Sequence, residues 1–204
     1  SAENLTLKLR ENALLLSLLD GSDEAALREL MAHRKLRSEI YPYEYSYESK
    51  VEEIEGTATY VEWMVLKQLD EREAKVLTNR MRTVMTKPEY LLPIRISGYY
   101  TGALMINALS SAGIYPFAAA DRPVGISALK AVTPSDGVFT GKDMIFRNVS
   151  DAVDAFNKKS EEIIRSVLER NEVVLNGPLE LVCVNIYDAR FYKGYITSRY
   201  FLLY

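Results

Sequence analysis

The residues best suited to chemistry lie in one stretch, Glu52–Glu62, where carboxylates, a glycine and small side chains follow one another at helical spacing. Acidic and hydroxyl side chains recur there every three or four residues, so in a helix they share one face. They are Glu52, Glu55, Thr59 and Glu62. Like charges at this spacing cost a few tenths of a kcal/mol per pair, roughly, unless something bound there offsets the repulsion. The pattern indicates either a binding site or a solvated acidic face.

The same helix is predicted to carry an apolar face and to approach another backbone closely. Its apolar side chains recur at the same spacing and predict the buried face. They are Val51, Ile54, Ala58, Val61, Val65 and Leu69. Gly56 costs about 1 kcal/mol relative to alanine inside a helix, and a glycine there usually has a packing or functional reason. We expect another backbone to lie against Gly56 and Ala58, beside Glu55; the alternative is an incidental glycine.

The segment Glu55–Glu62, Glu-Gly-Thr-Ala-Thr-Tyr-Val-Glu, resembles the Glu-Gly-x-Ala-x-Tyr-x-Glu helix of gluzincin-type zinc metallopeptidase-like proteins. In that family the first glutamate is the third zinc ligand, and an upstream His-Glu-x-x-His helix supplies two histidines and a general base. The resemblance implies that Glu55 binds zinc and that Gly56 lets the histidine helix approach. It also implies a set of pocket or supporting residues, which comprises Gly56, Thr59, Tyr60, Glu62, Arg95, Tyr99 and Tyr100.

The chain departs from the family pattern in its histidines. His33 is the single histidine, and Met31–Lys35 is not a His-Glu-x-x-His motif. We expect that motif to precede Ser1 in a longer native protein, of which this chain is an excised C-terminal part; a relative that has lost the motif is the alternative. On the first interpretation zinc binds only the full-length protein. This chain alone then binds none, contains no catalytic residue and is inactive.

Composition excludes several other classes of protein. The 204 residues are 48% hydrophobic and 26% charged, which is ordinary for a globular chain. A net charge of -3 argues against a nucleic-acid surface, and no apolar run approaches the length of a membrane span. Cys183 is the single cysteine, which excludes an internal disulfide. It lies in an apolar run, so we expect a buried, inert thiol.

Helical patterns surround the Glu52–Glu62 stretch on both sides. The predicted helices run from Asn4 to Leu19, from Glu24 to Arg37 with Ser22 as the cap, from Ser46 through the acidic stretch, from Asp70 to Thr86, from Ile94 to Ala112, and onward from Ser150. The basic residues His33, Arg34, Lys35 and Arg37 are expected to line a solvated helix end. Residues 116–146 are predicted to form a long loop.

Gly98 and Gly102 are four residues apart and share a helix face, which predicts close packing, here against the Gly56 helix. This segment resembles the Tyr-x-x-Gly-Ala helix that follows the glutamate helix in the same family. Tyr99 and Tyr100 are therefore candidates to line a pocket. The alternative is a buried helix whose tyrosine tips reach a partner.

These patterns predict an α+β fold that is mainly α. Residues 1–146 form a packed helical domain, and residues 147–204 form a helix and a small antiparallel β unit with strands at Glu172–Leu175, Leu179–Tyr187 and Tyr195–Tyr204. The first functional hypothesis is the C-terminal part of a zinc metallopeptidase that hydrolyses peptides or proteins. The second is a non-catalytic peptide- or protein-binding module. The third is a scaffold in which Glu55 is solvated or paired with Arg95.

Overall fold

A computed structural model describes residues 1–92, 94–114, 124–170, 177–178, 180, 182–185, 189–198 and 202–203. The chain divides into two compact units, Ser1–Val149 and Ser150–Tyr204. Helices dominate, and short antiparallel strands lie near the C-terminus. The predicted mainly α, α+β class is confirmed.

The first unit is built largely from helices. They are α1 (Ala2–Ser17), α2 (Glu24–Ile40), α3 (Pro42–Val51), a π-helical turn (Glu52–Gly56), α4 (Thr57–Leu69), α5 (Glu71–Thr86), a 3-10 turn (Pro88–Leu91), α6 (Ile94–Ser111), α7 (Val124–Ala131) and the beginning of α8 (Met144–Leu168). Among the described residues, no helix is both long and apolar enough to cross a membrane.

Helix starts follow local side-chain chemistry. Asp23 caps α2 by accepting hydrogen bonds from the backbone N–H groups of Ala25 and Ala26 at 2.9 and 3.2 Å. The predicted cap, Ser22, is therefore wrong by one residue. Pro42 occupies the first turn of α3, where its missing N–H costs nothing, so the long helix begins there and not at Ser46.

The segment Pro42–Leu69 continues from α3 through the π-helical turn into α4, and α6 packs along all three parts. The closest approach is between glycines. A Cβ atom built on Gly56 would lie 2.5 Å from the Cα atom of Gly102. One built on Gly98 would lie 2.7 Å from Cγ1 of Val51. The predicted packing of the Gly98–Gly102 face against the Gly56 helix is confirmed, although Ala58 faces outward.

The hydrophobic core of this unit surrounds Trp63 and draws on α1, α2, α4, α5, α6 and α7. Its most deeply buried members include Leu15, Leu30, Met31, Trp63, Met81, Leu104, Met105 and Leu109. Close packing of this kind fixes α4 and α6 against each other. The elements that carry Glu55 and Arg95 are thereby held in place.

The segment predicted as a long loop, 116–146, contains helical structure. Residues Val124–Ala131 form α7, and α8 begins at Met144, before the predicted start at Ser150. Asp143 accepts a hydrogen bond from the Phe146 N–H at 3.0 Å and so caps α8. The part before α8 is held by Arg10, which binds the Asp143 carboxylate at 2.9 Å.

The second unit contains the rest of α8 and two small antiparallel pairs. β1 (Cys183–Val184) pairs with β4 (Leu202–Leu203), and β2 (Arg190–Tyr192) pairs with β3 (Tyr195–Thr197). Lys193 and Gly194 have φ values of 47° and 86° and make the tight turn of the β2–β3 hairpin. The strand predicted at Glu172–Leu175 lies outside the described residues. Cys183 is exposed, so the predicted buried thiol is wrong.

Candidate functional site

The Pro42–Leu69 helix buries a different face from the one its apolar pattern predicts. Ile54 and Leu69 are 69% and 81% exposed, whereas Glu52 is 1% exposed. Of the predicted apolar face only Val51 is buried. The buried side instead presents Glu52, Gly56, Thr59 and Trp63 to α6 and the core. The prediction failed because Gly56 lets α6 approach on the side opposite the apolar stripe, and the side that α6 covers is the one that is buried.

Glu52 can be buried because its charge is neutralised inside the protein. Its Oε2 atom forms an ion pair with Nη2 of Arg34, and its Oε1 atom accepts a 2.7 Å hydrogen bond from the Thr101 hydroxyl. Burial by itself lowers the pKa of Arg34, but Glu52, Tyr45 and Glu11 together outweigh burial, and the pKa is raised well above its ordinary value. This glutamate is a structural residue.

A second buried set of charges lies beside it. Glu48 accepts hydrogen bonds from Lys8 at 2.8 Å and from Arg37 at 2.6 Å, and Arg37 also reaches Glu11 at 3.0 Å. Burial alone raises the pKa of Glu48, but Lys8 and Arg37 outweigh it and hold the pKa at about 2. His33, Arg34 and Arg37 are buried and only Lys35 of this group is exposed, so the predicted solvated basic end of α2 is wrong for three of its four residues.

Glu55 lies at the edge of the exposed side. Its Oε1 atom is 2.5 Å from Nη2 of Arg95, and the two side chains are 28% and 29% exposed. The Thr59 hydroxyl donates to the backbone carbonyl of Glu55 at 2.8 Å. Glu55 belongs to the π-helical turn, a feature that often occurs at functional sites.

The backbone opening at Gly56 is filled by α6. The Cα atom of Gly102 is the nearest atom to a Cβ built on Gly56, and it leaves no room for a further helix there. α6 thus occupies the face of Gly56 that the resemblance implies for a histidine-bearing helix, and that implied role stays a prediction. A segment that reached Glu55 would have to approach from the exposed side of the Pro42–Leu69 helix.

A small cavity of about 150 Å³ lies next to Glu55. It is lined by Tyr47, Lys50, Val51, Ile54, Glu55 and Arg95. The tyrosines implied by the resemblance lie elsewhere: Tyr100 is buried in the core, and Tyr60 and Tyr99 pack against it. Glu62 is exposed on α4.

A comparison of the chain with protein-family models, curated proteins and solved structures found no match. The resemblance to zinc metallopeptidase-like proteins therefore rests on the Glu55–Glu62 motif and on the glycine–tyrosine pattern of α6.

The described residues alone do not fit a zinc ion. A zinc site of the kind that the motif implies needs three protein ligands. No group of three His, Cys, Asp or Glu side chains that could hold a metal occurs in the part of the chain that the structure describes. His33 is buried in α2 with Nδ1 3.0 Å from the Glu29 carbonyl oxygen. Glu55 could supply one ligand, and its Oε1 atom is already paired with Arg95.

The sequence analysis did not identify which side of the Pro42–Leu69 helix is exposed to solvent. One side of the helix carries a line of exposed side chains that we call the outward face. They are Tyr43, Tyr47, Lys50, Ile54, Ala58, Val61, Glu62, Val65 and Leu69. The signal that could have identified it was the run of small residues opposite the apolar stripe. Gly56 and Thr59 leave room for a neighbouring helix on their own side, so that side is buried.

Proposed function

We propose that this chain is a protein-binding module and that its contact surface is the outward face of the Pro42–Leu69 helix. The observation that carries the proposal is the exposure of Ile54, Val61, Val65 and Leu69 along one line of one helix. Single exposed apolar residues are normal, but a contiguous apolar patch rimmed by polar groups is typical of an interaction site. The spacing of three and four residues suits a partner helix.

The helix is rigid enough to act as a preformed surface. Its inner side is fixed by the Gly56–Gly102 contact and by Trp63, which is 1% exposed and donates a hydrogen bond to Thr78 at 3.0 Å. A preformed surface loses little conformational freedom on binding. The outward face is therefore suited to contact a partner without rearrangement of the helix.

The test uses a fluorescent synthetic helix with leucines at alternating four- and three-residue spacing, and follows binding by anisotropy. We expect saturable binding to the wild-type chain. The Val65→Glu variant should weaken it at least about 100-fold, because binding would bury an unpaired charge.

The matched control is Val76→Glu, which places the same charge at an exposed valine of α5 outside the outward face. Binding by this variant should equal binding by the wild type. The proposal is wrong if the peptide does not bind the wild-type chain, or if the two valine variants bind it equally well.

The second candidate function is the zinc metallopeptidase that the motif implies. Its supporting observation is the position of Glu55, partly exposed at the edge of the outward face and next to a cavity. Two histidines from another segment would complete the ligand set by covering that face. The zinc ion would then polarise a peptide carbonyl and activate water.

This candidate is tested by the zinc content of the longest natural form of the protein, compared with its Glu55→Ala variant. One zinc per chain, lost or much weakened in the variant, is the expected result if Glu55 is a ligand. Zinc in neither form, measured after dialysis against zinc, would overturn the metallopeptidase candidate. That result would leave the binding-module proposal unaffected.

A further inference from the structure

Resting on the proposed function, we propose that the partner of the outward face is a second copy of this chain. The two Pro42–Leu69 helices would lie antiparallel, related by a two-fold axis that passes beside Gly56. In such an interface the same surface is used twice, so every contact occurs as a symmetric pair.

The spacing of the outward face is symmetric about Gly56. In an antiparallel pair, each step forward along one helix is a step backward along the other. With the axis at Gly56, Ile54 lies opposite Ala58 of the second copy, and Tyr47 lies opposite Val65 of the second copy. Tyr43 likewise lies opposite Leu69, so the apolar side chains face one another along the whole helix.

The same register matches the charges. Lys50 falls opposite Glu62 of the second copy, and both are exposed. Within one chain these two residues are twelve positions apart, which is about 18 Å along a helix at 1.5 Å per residue. They are too far apart to pair within one copy, so the dimer gains two ion pairs that the monomer does not have.

The register also avoids repulsion. The other partly or fully exposed charged residues of the helix are Glu44, Glu53, Glu55 and Lys67. By position each of them corresponds to an uncharged residue of the second copy, in order Gln68, Thr59, Thr57 and Tyr45, of which Thr59 and Tyr45 are buried. Since like charges across an interface oppose association, this register is compatible with a homodimer.

The cavity beside Glu55 has the arrangement that helix pairing requires. Four of its lining residues, Tyr47, Lys50, Val51 and Ile54, stand at positions i, i+3, i+4 and i+7 of one helix. Four residues so arranged form the hole that receives a knob from a facing helix. The residue opposite Val51 in this register is Val61 of the second copy, an exposed valine. Each copy would thus insert one valine into the cavity of the other.

The experiment measures the dimerisation constant of the full chain by sedimentation equilibrium. We expect a monomer–dimer equilibrium for the wild type. Lys50→Glu and Glu62→Lys should each weaken the dimer about tenfold, because each turns both ion pairs into repulsive pairs. Lys35→Glu, at an exposed lysine of α2, should leave the constant unchanged.

The decisive sample is an equimolar mixture of the Lys50→Glu and Glu62→Lys variants. In a mixed dimer the two substituted side chains face each other with opposite charges, and the two side chains left native form the other ion pair. The mixture should therefore recover wild-type association within about threefold. The double variant should recover it as well. All of these substitutions lie on the surface, and circular dichroism verifies that each variant is folded.

A dimer that both single reversals leave unchanged, or that the mixture fails to restore, would overturn this register. If the wild-type chain stays monomeric up to millimolar concentration, the proposal that a second copy is the partner is wrong. If that monomer still binds the synthetic helix in a Val65-dependent way, the binding-module proposal stands. A monomer that does not bind the helix overturns both.

Discussion

Close backbone contact between α6 and the π-helical turn is expected to stabilise the first unit. Three glycine-to-alanine substitutions test this expectation, at Gly102, Gly98 and Gly21. A Cβ on Gly102 would lie 2.6 Å from the carbonyl oxygen of Glu52 and 2.8 Å from Cα of Gly56, and both of these are backbone atoms. A Cβ on Gly98 would meet a side-chain methyl of Val51 at 2.7 Å. A Cβ on Gly21 would have no neighbour within 4 Å.

The expected changes in the free energy of unfolding follow this order. Alanine gains about 1 kcal/mol of helix propensity over glycine in α6, whereas overpacking a tight core costs about 1–3 kcal/mol and occasionally more. Backbone atoms cannot move aside as a side chain can, so Gly102→Ala should have the largest cost, a net loss of about 2 kcal/mol or more. Gly98→Ala should be close to neutral, because the Val51 methyl can shift. Gly21→Ala should change stability by less than about 0.5 kcal/mol.

The assay is urea unfolding followed by the fluorescence of Trp63. This is the single tryptophan and lies buried in α4, so the signal reports on the helical unit directly. Equal unfolding midpoints and slopes for the Gly102→Ala and Gly21→Ala variants would refute the reasoning. They would show that the two helices can separate at no cost and that the π-helical turn is not braced by α6.

Three further predictions concern single side chains. Because the pKa of Glu48 is lowered from 4.5 to about 2, its stabilising effect is complete above pH 4.5 and is lost as the pH falls towards 2. Glu48→Gln should therefore reduce the loss of stability between pH 4.5 and pH 2, measured by acid unfolding with circular dichroism. At neutral pH it should lower the free energy of unfolding by about 3–5 kcal/mol. Glu52→Gln should lower the free energy of unfolding in urea by a similar amount. Glu55→Gln breaks a partly exposed ion pair and should lower it by less than about 1 kcal/mol. Cys183 should react with a thiol reagent such as DTNB in the native protein, because the residue is exposed.

Each of these predictions has an outcome that contradicts it. An unchanged acid transition in the Glu48 variant would mean that other carboxylates govern acid unfolding. Equal costs for the Glu52 and Glu55 variants would mean that burial does not distinguish the two residues. A Cys183 thiol that reacts only in denaturant would place the strand pair differently.

Most helices of the first unit could be predicted from the sequence. α2 begins at Glu24 and α5 ends at Thr86, as predicted, because the caps and the Lys87–Pro88 stop act locally. α7 was missed because its eight residues lie between proline- and glycine-containing segments. The start of α8 was placed too late because Ser150 and its neighbouring aspartates mimic a helix start, whereas Asp143 provides the cap.

The candidate site could be predicted only in part. The close contact of Gly98 and Gly102 with the Gly56 helix followed from spacing, since small residues on one helix face permit close packing. The burial of Glu52 could not be predicted, because its neutralising partner Arg34 is eighteen positions away and is contributed by a different helix. A charged residue is predicted to face solvent unless its ion-pair partner in the fold is known.

The π-helical turn at Glu52–Gly56 also governs which insertions and deletions the chain can tolerate. This turn holds one residue more than a regular α-helical turn would use. Deleting one residue within it would convert it to a regular α-helical turn and leave α4 in nearly the same orientation relative to α3. A deletion within α3 or α4 would instead rotate the residues that follow it by about 100°, which in α4 before Trp63 would take that side chain out of the core. Changes of length in this helix are therefore expected at the π-helical turn and not in α3 or α4.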